Sequence, residues 1–331
     1  MALYALDDLD DALDATRALL TPVDRTTWVK LALVVLFVGG PGANLNFFQY
    51  TAGDGGAPPG GMGAPELGPR AWLLVATVVG VVLLLALAFA LVCAVMEFVF
   101  VESLRAEEVT IRRYWGRRWR QGVRLFGFRL VVGAFVLGSV LLLAAPFLLP
   151  LVEGGSVGGL SVATFLALLP LVVVLAVVAG LVNGFTTVFV VPVMVLEDCG
   201  VLAGWRQLWP TIRRQWEQYL AYVVAAFFLT LVGGLVVGVA TAVLALVLLV
   251  PFGILFALGI GLTAVAGGVG VALLVLGGVL YGLSVLAVAA LVQVPVQTYL
   301  RYYALFVLGD VEPVFDLIAD RRAAVREDAS A

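Results

Sequence analysis

The chain has 331 residues, of which 63% are hydrophobic and 12% charged, with 19 Lys and Arg against 22 Asp and Glu. Soluble domains carry about 45–50% apolar and about 25% charged residues, so a mean hydropathy of +1.12 excludes a water-soluble fold. Histidine is absent, which excludes Ser-His-Asp and Cys-His nucleophiles and the HExxH zinc site, and a net charge of −3 gives no footing for nucleic acid.

Cys93 and Cys199 are far apart and form no CxxC pair, so they read as buried, unreactive thiols. No cluster of carboxylates supports a metal site, and no cofactor is expected. Lys30 is the single lysine in a chain rich in Asp, Ala, Val and Gly, a composition that fits a GC-rich, salt-adapted source.

In chain order, residues 1–27 form a cytoplasmic amphipathic helix. Leu6, Leu9, Leu13 and Leu20 make its apolar stripe, with the aspartates largely opposite. Asp7, Asp8, Asp10, Asp11 and Asp14 stand where a signal peptide would carry basic residues. The membrane domain covers 28–305 and a cytoplasmic tail covers 306–331.

A helix needs about 20 mostly apolar residues to cross the hydrocarbon core. Reading with that length gives six segments, the first of them short: Trp28–Gly40, Ala71–Val101, Leu125–Val152, Leu160–Leu196, Leu220–Val250 and Val269–Tyr299. The first borrows residues from both flanks. A Gly- and Pro-rich outer loop is expected at 40–70. Pro251–Gly268 reads as an outer loop or re-entrant turn, with a seventh span as the alternative.

Segments 1–30, 102–129, 197–217 and 300–331 hold 18 of the 19 basic residues, leaving Arg70 on the opposite side. The excess of positive charge on inner loops then places both termini in the cytoplasm of a multi-pass cell-membrane protein. All seven tryptophans fall at span ends or in the inner connections, where amphipathic rings belong.

The two inner connections, at 103–122 and 198–216, align at an offset of 94: Arg112 with Arg206, Trp115 with Trp209, Arg120 with Arg214 and Gln121 with Gln215. The segment 13–31 aligns at an offset of 189, with Arg17 on Arg206, Leu19 on Leu208 and Arg25 on Arg214. Val191-Pro192-Val193 recurs as Val294-Pro295-Val296. The implied unit is an inner helix, a span out, an outer loop and a span back, present three times.

Val201, Trp205, Leu208, Trp209, Ile212 and Trp216 share one helical face, and Ile111, Trp115 and Trp119 do so in the earlier copy. An apolar, Trp-bearing face beside arginines suits a helix lying on anionic lipid. Arg112, Arg120, Arg206, Arg214, Trp115, Trp119 and Trp209 are therefore the candidate contacts for headgroups or a protein partner. Packing beneath the spans as a plinth is the compatible alternative.

Polar residues at membrane depth are costly. Asn183, Thr186 and Thr187 in one span, and Glu97 in another, form a possible intramembrane polar site. Asn183 and Thr187 are i, i+4 and share a face. Interhelical packing is the favoured role, and a substrate or ion path is the other. Glu97 is expected to pair with Arg105, Arg124 or Arg129. Glu197 and Asp198 read as first-turn acids of the second inner helix. Gly234–Gly238 and Gly278–Gly282 are GxxxG pairs that permit close helix contact.

The ends VVPVMVLEDCGVLAGWRQLWP and VPVQTYLRYYALFVLGD, with Arg/Trp-rich helices between spans, resemble an uncharacterised family of haloarchaeal polytopic membrane proteins. More distantly they are similar to the membrane domain of some glycerophosphodiester phosphodiesterases. The resemblance covers about Trp28 to Asp310 and implies a membrane module without catalysis. The expected protein is all-α, with six transmembrane helices, interfacial amphipathic helices and a three-fold internal repeat. Its expected role is a non-enzymatic scaffold or accessory module contacting the cytoplasmic leaflet, a protein partner or a second copy. A transporter or permease with a path near Asn183 is the alternative, and a lipid enzyme ranks last.

Overall fold

The computed structural model describes residues 4–38, 68–152 and 159–330, which are helical throughout apart from short turns. The helices are α1 (Tyr4–Leu20), α2 (Arg25–Phe37), α3 (Pro69–Ala106), α4 (Ile111–Val152), α5 (Gly159–Phe185), α6 (Val191–Glu197), α7 (Val201–Arg214), α8 (Trp216–Thr263), α9 (Gly267–Val311) and α10 (Ala319–Ser330). A π-helical turn, Thr186–Val190, joins α5 to α6 so that the two run as one element.

Five elements among the described residues are long and apolar enough to cross a membrane: α3, α4, α5 with α6, α8 and α9. The expected first span is instead the 13-residue helix α2, started by Asp24, whose carboxylate accepts from the Thr26 and Thr27 amides. Those bonds, led by the Thr27 hydroxyl, hold the Asp24 carboxyl below its ordinary range. The outer loop expected at 40–70 lies outside the described residues except for its last three.

Two expectations at the span ends are corrected. Pro251–Gly268 is neither loop nor re-entrant turn: α8 continues through Pro251 to Thr263, and the chain reverses over Ala264–Ala266. An isolated proline removes one hydrogen bond, a loss that apolar membrane helices tolerate. The first inner helix is likewise not separate. Ile111 opens a 42-residue helix that carries the Arg-rich turns straight into the span.

The chain divides into two compact units. The first comprises Met1–Val38, Val99–Arg113 and Thr211–Ala331. Here α8 and α9 form an antiparallel hairpin, and α1 and α2 pack on α9. Close approach is made at Gly233 against Val296, Gly259 against Leu274, and Gly277 against Leu255 and Phe256. The GxxxG glycines expected to do this, Gly234, Gly238, Gly278 and Gly282, have open space where a Cβ would sit. In GxxxG-rich sequence the contact register is decided by packing, and here it lies elsewhere on the helices.

Gly270 closes the α8–α9 turn, where a Cβ would lie 2.4 Å from the Thr263 amide nitrogen and 2.7 Å from its Cα. Backbone atoms cannot swing aside as a side chain can. Gly270→Ala is expected to cost about 1–2 kcal/mol, read as a lower melting temperature in detergent. Gly278→Ala, with nothing to meet, is expected to leave it unchanged.

The core of this unit lies at the far end of α9, where Tyr302, Tyr303, Ala304, Phe306, Val307 and Leu308 are fully enclosed. Tyr303 stacks on Tyr222, and Arg301 lies 5.7 Å over the Phe100 ring. Toward the hairpin turn the apolar side chains face outward, as lipid tails require.

In α1 the buried positions are Asp8, Ala12, Ala15, Thr16 and Leu20, while Leu13 is exposed. The stripe is rotated from the leucine face expected of an interfacial helix. Small side chains bring α1 close, and Asp8 faces inward. It meets Arg326 of α10 at 3.2 Å, and Arg326 also holds Asp11 and Asp310. Arg322 adds bonds to Asp310 and the Phe306 carbonyl. The two terminal helices are thereby fastened to the end of α9.

The second unit comprises Gly39–Phe98 and Tyr114–Pro210. Its core is Cys93–Phe98 of α3 with Phe189–Val195 of the π-turn and α6. At Gly122 a Cβ would come 2.4 Å from Val95 Cγ2 and 2.9 Å from Val95 Cα, which marks a close approach of α3 and α4.

Candidate functional site

Four polar residues of the second unit, Glu97, Arg129, Thr187 and Asn183, form one chain of contacts. Glu97, with no exposed surface, lies behind Arg129 of α4 at 3.9 Å. Arg129 donates to Thr187 Oγ1 at 2.6 Å, and the Thr187 hydroxyl donates to the Asn183 carbonyl at 2.9 Å. Of the three arginines offered to Glu97 by sequence, Arg129 is the partner. Asn183 Oδ1 is buried with no hydrogen bond among the described residues.

The π-turn has a local cause. Pro192 has no amide proton for the carbonyl four residues back and its ring crowds that carbonyl, so the helix widens and the Val191 amide bonds to Thr186 instead. Such turns recur at functional sites. Thr186 and Thr187 are thereby used differently. Thr186 is buried, donates to the Val182 carbonyl at 2.6 Å and accepts the Trp205 indole N–H at 2.9 Å.

Arg129, Thr187, Asn183 and Cys93 border a cavity of about 670 Å³ whose remaining walls are apolar, among them Leu87, Ala90, Leu130, Gly133 and Leu137. The site expected from sequence is thus partly assembled. Asn183 and Thr187 line the cavity, Glu97 acts through Arg129, and Thr186 is turned to Trp205. Arg129 organises the group. Its signal was legible, since it stands five residues beyond Arg124 after Leu125-Phe126-Gly127-Phe128, deeper than the other arginines of that run.

The inner helices show a second arrangement. Arg118, 4% exposed, and Gln121 together clasp the end of α6. Arg118 donates to the Gln121 Oε1 at 3.1 Å and the Val195 carbonyl at 3.3 Å, and Gln121 donates to the Met194 carbonyl and Asp198 at 2.8 Å. Glu197 and Asp198 therefore do not open the next helix. Glu197 ends α6, Asp198 caps it in the left-handed region at φ 49°, and the carboxylate there answers Arg118 and Gln121. The neighbouring Cys199, expected to be buried, is half-buried, and desolvation raises its thiol above the ordinary range.

Arg112, Arg120, Arg206, Trp119 and Trp209 are exposed, and Trp115 is half-buried against Trp119 at 5.5 Å. Arg214 differs, because it pairs with Glu312. In α7 the buried positions are Val201, Gly204, Leu208 and Thr211, and Trp205 is half-buried, so Trp209 stands off the buried face, while Trp216 is not on this helix but opens α8, exposed. Among the described residues no group of three or more Cys, Asp or Glu is arranged to hold a metal.

The model of one protein family matches residues 3–318, nearly the whole chain. The chain belongs to DUF7544, a family of unknown function. No curated protein and no solved structure matches it. Membership of DUF7544 brings neither a haloarchaeal source nor a likeness to glycerophosphodiester phosphodiesterases with it.

Proposed function

We infer that this DUF7544 member is a non-enzymatic cell-membrane module whose inner helices rest on the anionic cytoplasmic leaflet. One observation carries the reading: along the first turns of α4, Arg117, Trp119 and Arg120 are exposed between the buried Tyr114, Arg118 and Gln121. Protein packing holds one face of the helix and leaves the cationic and aromatic face outward. Arg206 and Trp209 repeat the pattern on α7 beside the buried Gly204 and Leu208.

Both termini fall on the cytoplasmic side in this reading, in keeping with the arginine distribution. The three-fold repeat with α2 as its first span draws support from two left-handed residues, Glu107 at φ 51° and Asp198 at φ 49°. Each follows a long apolar element and stands a few residues before an Arg/Trp-bearing helix. A salt-adapted source fits the lysine-poor composition.

The triple variant Arg112→Gln, Arg120→Gln, Arg206→Gln tests the leaflet contact. Each arginine near an anionic surface is worth about 1 kcal/mol. Quenching of the protein's tryptophans by brominated phosphatidylglycerol over brominated phosphatidylcholine should favour the anionic lipid in the parent and lose that preference in the variant. Equal quenching by both lipids in the parent would sink the reading. The permease alternative has one observation in its favour, the cavity beside Arg129.

A further inference from the structure

We propose that the cavity beside Arg129 is a binding site for one phospholipid with an anionic head, its phosphate on Arg129 and an acyl chain in the apolar slot beyond. The inference is independent of the leaflet contact, which involves different arginines.

The Arg129 guanidinium has five N–H donors, yet among the described residues it is met at two points, Thr187 Oγ1 at 2.6 Å and Glu97 Oε2 at 3.9 Å. Glu97 is wholly enclosed and is not part of the cavity wall, whereas Arg129 is. The pair is thus held from behind, with the arginine on the cavity side. A cation so placed at membrane depth needs acceptors, and phosphate oxygens supply them in the geometry a guanidinium matches.

The walls specify the rest of the ligand. From Arg129 the lining of α4 continues through Leu130, Gly133, Ala134 and Leu137, away from the Arg-rich turns. At about 1.5 Å per residue, these positions rise about 12 Å toward the middle of the bilayer. Leu87 and Ala90 of α3 line the slot opposite. Leu87, Leu130 and Leu137 are 37%, 48% and 59% exposed, so the slot opens sideways to lipid.

Two glycines keep the slot open. A Cβ at Gly133 or Gly184 would meet nothing within 4 Å. The volume, about 670 Å³, falls within the range of about 300–1,000 Å³ usual for small-molecule sites. A polar floor beside the Arg-rich turns with an apolar slot rising from it matches a phospholipid of the leaflet those turns face, its head at the turns and its tail toward the middle of the bilayer.

The test uses the full chain in phosphatidylcholine nanodiscs carrying a trace of phosphatidylglycerol with a photoreactive diazirine on its acyl chain. The expected label concentrates on residues 130–137 of α4. Gly133→Leu, which fills the slot without touching Arg129, should bring that label to the level of the other lipid-facing surfaces while leaving the melting temperature in place. Arg129→Gln should lower it about 10- to 100-fold, the value of one charge-assisted hydrogen bond. Where that single variant does not fold, Glu97→Gln with Arg129→Gln takes its place. Equal labelling by a phosphatidylcholine probe would overturn the anionic head. Unchanged labelling in Gly133→Leu would overturn the slot. Loss of label on adding inorganic phosphate would assign the arginine to a free anion and overturn the lipid.

Discussion

Replacing Arg129 by leucine is expected to destabilise the protein by about 3–5 kcal/mol, because it takes the neighbouring cation from the Glu97 carboxylate in a fully enclosed position. Glu97 lies 3.9 Å from Arg129 and has no exposed surface. Breaking a buried pair from one side costs more than the pair itself contributes, since the remaining charge keeps its desolvation penalty and loses the opposite charge that offset it. The double variant Glu97→Gln, Arg129→Leu is therefore expected to regain most of the loss. The measurement is a melting series of the parent, both single variants and the double variant in one detergent. Additive losses would show that the two residues stabilise the fold separately.

The second large effect concerns the terminal clamp and depends on pH. Asp8 is enclosed, and its carboxyl is pushed up to about 8, first by burial and then by the charge and hydrogen bond of Asp310. Arg326 and Arg322 offset this, and Asp11 and Asp316 complete the charged groups around them. A carboxyl with a raised folded pKa binds its proton more tightly folded than unfolded. Its contribution is fully present below the unfolded value of about 3.9 and is lost as pH rises through about 8.

Attachment of α1 and α10 to α9 should therefore weaken as pH rises from about 4 toward 8. Arg326→Gln is expected to cost about 2 kcal/mol near pH 8, a figure reduced for the partial exposure of that side chain, and less near pH 5. Asp8→Asn keeps the shape and removes the titration, so its melting temperature should vary less with pH across that range. Hydrogen exchange along α1 and α10 reads the same change locally. An Asp8→Asn protein with the parent's full pH slope would assign that slope to other groups.

Segment-level features were legible because they rest on strong, local physics. Long apolar runs announced the spans from Ala71 onward, since a hydrocarbon core tolerates little else. The partner of Glu97 was narrowed to three arginines by helical reach alone. The shared face of Asn183 and Thr187 followed from their spacing. Pro251 misled, because a proline reads as a break when the neighbours that tolerate it are unseen. The α1 stripe misled for a similar reason: leucines mark an apolar face, but small residues marked the buried one.

By itself, the sequence determined the environment and the alphabet: an all-helical membrane chain without imidazole chemistry, with arginines and tryptophans gathered at the span ends. Those follow from composition and from periodicities a few residues long. Only the tertiary structure decided which glycines make contact, that Asp8 turns inward to Arg326, and that Arg129 joins Glu97, Thr187 and a cavity into one site. Each of these depends on the rotation of one helix against another. In a helix about 100° separates successive residues, so a shift of one position changes which side chain meets the neighbour. That shift barely alters the hydrophobic pattern of a span that is apolar on every side.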